Sequence, residues 1–163
     1  MASGSAVDLV ADLTKVARLP AAERALLLRA CVLFPAVAVG LRLLPLKTLL
    51  RLLDRPRQPH ATIPPERAAA LVEAAAGRLP LRPTCLVKAL ALHTLLRHLG
   101  IDADLVVGAT PATGGVEAHA WVEHRGAPLP GAGQPKTYPP LLRWSGAGGP
   151  LVPSRPATIK EPV

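Results

Sequence analysis

The chain has 163 residues, half of them apolar and 18% charged, which is enough apolar material for one packed domain and excludes disorder of the whole. The apolar share is Ala, Leu and Val, with only 2% aromatics, a composition that fits aliphatic helices better than an aromatic-rich β-sandwich. Nineteen Lys and Arg against eleven Asp and Glu leave a net charge of +8, which points to acidic partners without naming them.

The N-terminus, Met1 to Asp8, has no basic region followed by an apolar stretch, so no secretory signal is expected. Val10, Leu13, Val16 and Ala17 recur at helical spacing and predict a short amphipathic helix over Asp8–Leu19. Pro20, with Glu23 in the turn that follows, starts a second helical stretch. It runs from Ala21 to Leu53, with a kink expected at Pro35 and a break at Pro45. Its most apolar part, Ala30–Leu41, is bounded by Arg29 and Arg42. Those twelve residues fall short of the about 20 that cross a bilayer, so no transmembrane segment is expected. Arg29, Arg42, Lys47, Arg51 and Arg55 stud the stretch. Two readings stay open: a core helix with snorkelling arginines, or a basic face for a membrane surface or an acidic peptide.

Residues 1–54 thus form an N-terminal helical part, and the Pro-rich run 55–65 reads as a linker. In the next part, residues 66–145, Glu66–Leu79 is an Ala-rich helix, and Thr84–Leu99 is a second one closed by Gly100. Ile101–Ala109 and Val116–His124 alternate and read as strands, with Arg125-Gly126 turning into a third short strand near Ala127–Leu129. From Pro130 onward Pro and Gly dominate, with Tyr138 and Trp144 as anchors to the body, and residues 146–163 are expected to be a poorly ordered tail. The fold class is α+β: helices packed on a small antiparallel sheet of three or more strands.

Cys85 follows Pro83-Thr84 and so falls in the first turn of a helix. Unpaired N–H groups and the helix dipole favour a thiolate there and can hold an oxyanion. Cys31, by contrast, falls mid-helix on an apolar face, the place of a structural thiol. In Ala118-His119-Ala120-Trp121-Val122-Glu123 the alternation sets His119, Trp121 and Glu123 on one face of a strand. His119 comes 34 residues after Cys85, across a helix, a strand and a turn. That is the chain order of papain-like cysteine enzymes, thiol at a helix start and base on a following strand. Trp121 reads as a wall of the cleft or a packing residue. His93 and His98 are five apart, not at the spacing of a zinc pair, and two cysteines are too few for a Cys-based zinc site or a disulfide scaffold. His124 is expected at the surface and His60 in the linker. No metal, cofactor or nucleic acid is implied.

These residues resemble a family. The runs Cys85-Leu86-Val87-Lys88-Ala89-Leu90-Ala91-Leu92, Gly100-Ile101-Asp102-Ala103, Leu105-Val106-Val107-Gly108 and Ala118-His119-Ala120-Trp121-Val122-Glu123 are similar to the small transglutaminase-like leader peptidases of lasso-peptide biosynthesis. The N-terminal half, Pro20–Leu28 leading to Arg42-Leu43-Leu44-Pro45, is similar in style, so the resemblance covers about residues 8 to 130. It implies a papain-like or transglutaminase-like core and a cysteine peptidase that cuts the precursor peptide before a cyclase closes its ring. Cys85 is then the nucleophile and His119 the general base. The implied partners are the precursor's leader region, a separate leader-recognition protein and an asparagine-synthetase-like lasso cyclase, all in the cytoplasm. The chain starts directly with helices, so a fused recognition domain is not expected.

One departure stands out. The family's third residue, an Asp, is expected twelve positions after the histidine, where this chain has Gly131. The chain also has no Asn to take the papain-type orienting role. Gln134 is the nearest candidate orienter; Glu123 or Asp104 qualifies only if the sheet brings it close. The departure keeps two rival readings open: a non-catalytic scaffold that binds precursor or cyclase, and an acyl transferase or amidase with the same Cys-His pair. A membrane-surface protein built on the basic helices is a third.

Overall fold

The computed structural model describes residues 16–53, 63–79, 82–131, 137–145 and 152–153. Of the expected N-terminal helix, residues 16–19 fall within these ranges: 16 and 17 are helical, and 18 and 19 form a turn and a bend. Helix α1 (Ala21–Leu43) starts after Pro20 and runs through Pro35 as one element. Pro35 sits on the exposed side of the helix, where water can reach the carbonyl that its missing N–H leaves unbonded. The inner face puts Leu26, Leu27, Ala30, Phe34 and Val37 into the core. Pro45 separates α1 from the short α2 (Leu46–Leu53), which buries Leu49 and Leu50.

Helix α3 (Pro65–Arg78) has proline at its first position and a buried face of Ala68, Ala69, Leu71, Val72, Ala75 and Ala76. So many alanines let it lie close to α1 and to α4 (Cys85–His98), the central helix of the molecule. α4 is buried without a break from Ala89 to Arg97 because helices flank one side and the sheet covers the other. It ends as the sequence predicts: Gly100 N–H bonds to Arg97 C=O (3.0 Å) and Ile101 N–H to Leu96 C=O (2.9 Å).

The sheet is antiparallel, in the order β3-β2-β1-β4-β5, with β1 Asp104–Ala112, β2 Gly115–His124, β3 Ala127–Pro128, β4 Pro140–Ser145 and β5 Val152–Pro153. β4 lies in the Pro- and Gly-rich segment after Pro130, as a further strand of the sheet, and β5 lies within residues 146–163. Register sorts the side chains. Leu105, Val122 and Trp144 stand level and bury against the helices in one continuous core that also holds α1, α2, α3 and α4 residues. The opposite row, Val106, Trp121 and Arg143, faces away, and there Val106 and Trp121 form a second small cluster with Tyr138. The result is an α+β fold with the helices on one face of a small antiparallel sheet.

Candidate active site

Cys85 is the first residue of α4. Thr84 caps it, its hydroxyl accepting from Val87 N–H at 3.4 Å, so the helix start is fixed as the sequence suggests. The half-buried Cys85 lines a cavity of about 20 Å³, roughly one water molecule, together with Glu73, Lys88, Trp121, Leu129 and Gly131. A much larger cleft, about 710 Å³, opens at the other end of α4 beside Gly100, Asp102, Glu123 and His124, remote from the thiol.

His119 is half-buried on β2 beside Trp121 and Tyr138. Its ring stacks on the Trp121 indole with centroids 6.1 Å apart and planes 19° apart, and it meets the Tyr138 ring at 5.2 Å. Trp121 thus links the two candidate groups, sharing the lining of the cavity with Cys85 and stacking on the His119 imidazole. Tyr138 is the second shared neighbour. Its hydroxyl is pushed above the ordinary tyrosine range, first by donating to Glu117 Oε1 at 2.8 Å, then by desolvation and the Glu117 charge, and also by the charge of Cys85.

Tyr138 reaches this place because Gly108 lets the backbone cross β1 there. A Cβ at Gly108 would lie 2.6 Å from Tyr138 C=O and 2.9 Å from the Trp121 ring. In the sequence Tyr138 stands only as an anchor, since nothing in the Pro-rich run around it signals a place beside an imidazole.

The orienter candidates come out differently. Gln134 lies outside the described residues. Glu123 is buried, but its carboxylate is taken up elsewhere: Oε1 accepts from the Trp121 indole N–H at 2.9 Å and Oε2 pairs with Arg143 at 2.7 Å. It stands four residues along the strand from His119, about 13 Å away at the usual rise per residue, and holds the Trp121 ring on which the imidazole stacks. Asp104 is held by the same Arg143 at 2.7 Å. Burial pulls the Arg143 guanidinium down, but its bonds to Glu123 and Asp104 outweigh that and hold it above its ordinary value.

Gly131, the position where the resemblance expects an Asp, lines the same cavity as Cys85. Leu129 N–H bonds to Val122 C=O at 2.9 Å, and Ala120 shares the lining of that cavity with Gly131. There Gly131 has φ +86°, and a Cβ would sit 2.5 Å from Glu73 Cγ and 2.6 Å from Glu73 Oε1. The space that an acidic side chain would need at 131 is filled by a carboxylate from α3, which Lys88 holds at 3.0 Å. Glu73 and Lys88 had no signature in the sequence, since each is one more charged residue on an Ala-rich helix.

His124, expected at the surface, is half-buried, its Nδ1 2.6 Å from the Asp102 carbonyl. His93 is buried within α4, and Cys31 packs on the core from α1. Among the described residues no group of three His, Cys, Asp or Glu side chains gathers to hold a metal.

A cysteine at a helix start, a histidine on the second strand of an antiparallel sheet and the helix packed against that sheet form one pattern. The pattern of the transglutaminase-like superfamily matches residues 28–143, most of the chain. The chain belongs to the transglutaminase-like superfamily. The match begins inside α1 and ends in β4, so it takes in much of the N-terminal helical part as well as the sheet. Comparison with curated proteins and with solved structures gives no match. Membership brings activity of the cysteine protease or acyltransferase type.

Proposed function

We propose that this transglutaminase-like protein is a cytoplasmic cysteine peptidase that removes the leader peptide from a lasso-peptide precursor. It works beside a separate leader-recognition protein and upstream of an asparagine-synthetase-like cyclase. The observation that carries the reading is Cys85 at the first position of α4 with Trp121 between its cavity and the His119 ring.

In this reaction His119 takes the Cys85 thiol proton and Sγ attacks the scissile carbonyl carbon. The N–H groups at the start of α4 hold the oxyanion that forms. The carbon–nitrogen bond then breaks, and the imidazolium returns its proton to the departing amine. Water, deprotonated by His119, attacks the thioester, the carbon–sulfur bond breaks, and the leader leaves as a carboxylate with the thiol restored. Trp121 walls the cleft. Gln134 is the proposed orienter of the imidazole, and Glu123 contributes through Trp121. An amine in place of water would give transfer from the same acyl-enzyme.

Gly131 favours a second reading, a non-catalytic scaffold that binds precursor or cyclase. The two separate on one experiment: incubation with precursor and recognition protein, with the products weighed. Cleavage to free leader and core, abolished in Cys85→Ala, is expected. Cleavage by Cys85→Ala rejects the nucleophile, a leader–amine adduct shows transfer, and precursor bound but uncut supports the scaffold.

A further inference from the structure

Helix α1 is apolar on the side that faces away from the protein as well as on the side that faces in. Leu28 is 67% exposed, Val32 71%, Val39 52% and Leu43 75%, spaced four, seven and four residues apart so that they fall on one stripe. Pro35 and Ala36, also exposed, lie within it. From Leu28 to Leu43 the stripe is about 22 Å long at the rise of an α-helix. Scattered exposed leucines are ordinary on a soluble protein; a continuous stripe over four turns is not.

The charges around it have one sign. At 100° per residue Arg24 and Arg42 fall along one edge of the stripe and Arg29 along the other, all exposed. α2 continues the surface with exposed Lys47 and Arg51 beside Leu52. The single acid between residues 21 and 53 is Glu23, and Arg67 of α3 holds it at 2.7 Å. Between α1 and α4 an apolar groove of about 440 Å³ runs beside the stripe, with Leu28, Val32, Ala36 and Leu95 in its walls and Arg29 among its lining.

We infer that this face docks on an anionic lipid membrane, with α1 lying in the plane of the interface. The chemistry matches on both counts: apolar side chains for the acyl region and a fringe of arginines for lipid phosphates. α1 is long and apolar enough to cross a bilayer, with mean hydropathy 2.0 over its best window. Lying in the interface is nonetheless the arrangement that fits, because Leu26, Leu27, Ala30, Phe34 and Val37 on its inner face are built into the core. A neutral protein partner would leave the five cations unmatched. This inference does not depend on the peptidase reading.

The test is co-sedimentation of the full chain with vesicles of phosphatidylcholine, with and without phosphatidylglycerol. Binding is expected only with the anionic lipid, weakening as salt is raised. Val32→Glu with Val39→Glu should lower the affinity about tenfold or more, with circular dichroism showing the helices intact. Arg29→Gln with Arg42→Gln, which touches no core residue, should remove the preference for anionic lipid. Failure to sediment with anionic vesicles overturns the inference, as does undiminished binding by both variants. It is equally overturned if the chain is a dimer in solution that Val32→Glu dissociates, because the stripe then belongs to a second copy.

Discussion

At Gly131 the backbone has φ +86°, and the volume next to its Cα belongs to Glu73. Gly131→Ala therefore carries two costs. The left-handed backbone costs about 1–2 kcal/mol for a residue with a Cβ, and moving Glu73 adds about 1–2 kcal/mol of overpacking. In a Glu73→Ala background only the first cost should remain, so urea unfolding of the four variants should show a coupling of about 1–2 kcal/mol. Equal costs in the two backgrounds would show that the carboxylate is not the obstacle. Chemistry at the two cysteines differs by position too. Cys85 opens α4 while Cys31 packs on the core from inside α1. Iodoacetamide should label Cys85 well before Cys31, read by peptide mass; equal labelling would show that the start of α4 gives its thiol no advantage over one inside α1. Cys85, His119 and Trp121 were legible because each is announced locally, by a Pro-Thr cap or by strict alternation. Glu73, Lys88 and Tyr138 were not, because they meet the site only through tertiary packing.

Among the elements, α4 and the β1–β2 hairpin follow from their own residues: Thr84 and Gly100 mark the ends of the helix, and the alternation in Ala118–Glu123 needs no neighbour to be read. β4 is the opposite case. Its inward residues are only Leu142 and Trp144, it starts at a proline, and it follows a Gly- and Pro-rich run. What makes it a strand is the free edge of β1, which no local pattern reports. Arg143 then ties three strands together, reaching Asp104 of β1 and Glu123 of β2, each at 2.7 Å. Arg143→Met would take from the buried Glu123 carboxylate its cationic partner and leave it the Trp121 N–H. The expected cost is about 2–3 kcal/mol. It should appear as a lower urea midpoint together with a shift in tryptophan emission as the Trp121 ring loses its fixed acceptor. An unchanged midpoint would mean that β4 is held by Trp144 alone.

At the scale of the molecule, the helices before residue 55 and the sheet after residue 100 share one core, although the Pro-rich run between them reads as a linker in sequence. One tie is ionic. The Glu23–Arg67 bond between α1 and α3, chiefly its side-chain hydrogen bond, holds the Glu23 carboxyl below its ordinary range. A depressed carboxylate stabilises above its unfolded pKa, and the contribution fades as pH falls through the folded value. The wild-type advantage over Glu23→Gln in urea midpoint should thus be full at pH 7, fade once the pH falls past the ordinary carboxyl value of 4.5, and be gone below the lower folded value. Because the pair is exposed, the advantage should also shrink in high salt. The larger tie is apolar. Leu26, Leu27, Phe34 and Val37 of α1 are buried against α3 and α4, and burying four such side chains contributes about 6–12 kcal/mol. That matches the whole net stability of an ordinary domain, about 5–15 kcal/mol. A chain cut to residues 66–163 should therefore lose its cooperative thermal transition and expose Trp144 to quenchers, even though it keeps Cys85, His119 and the sheet. α4 loses one of its packed neighbours in that fragment, and the helix start that positions the thiol is no longer held against β2. A fragment that melts cooperatively and keeps Trp144 shielded would show instead that α3, α4 and the sheet are sufficient, and that α1 serves only the surface it presents outward.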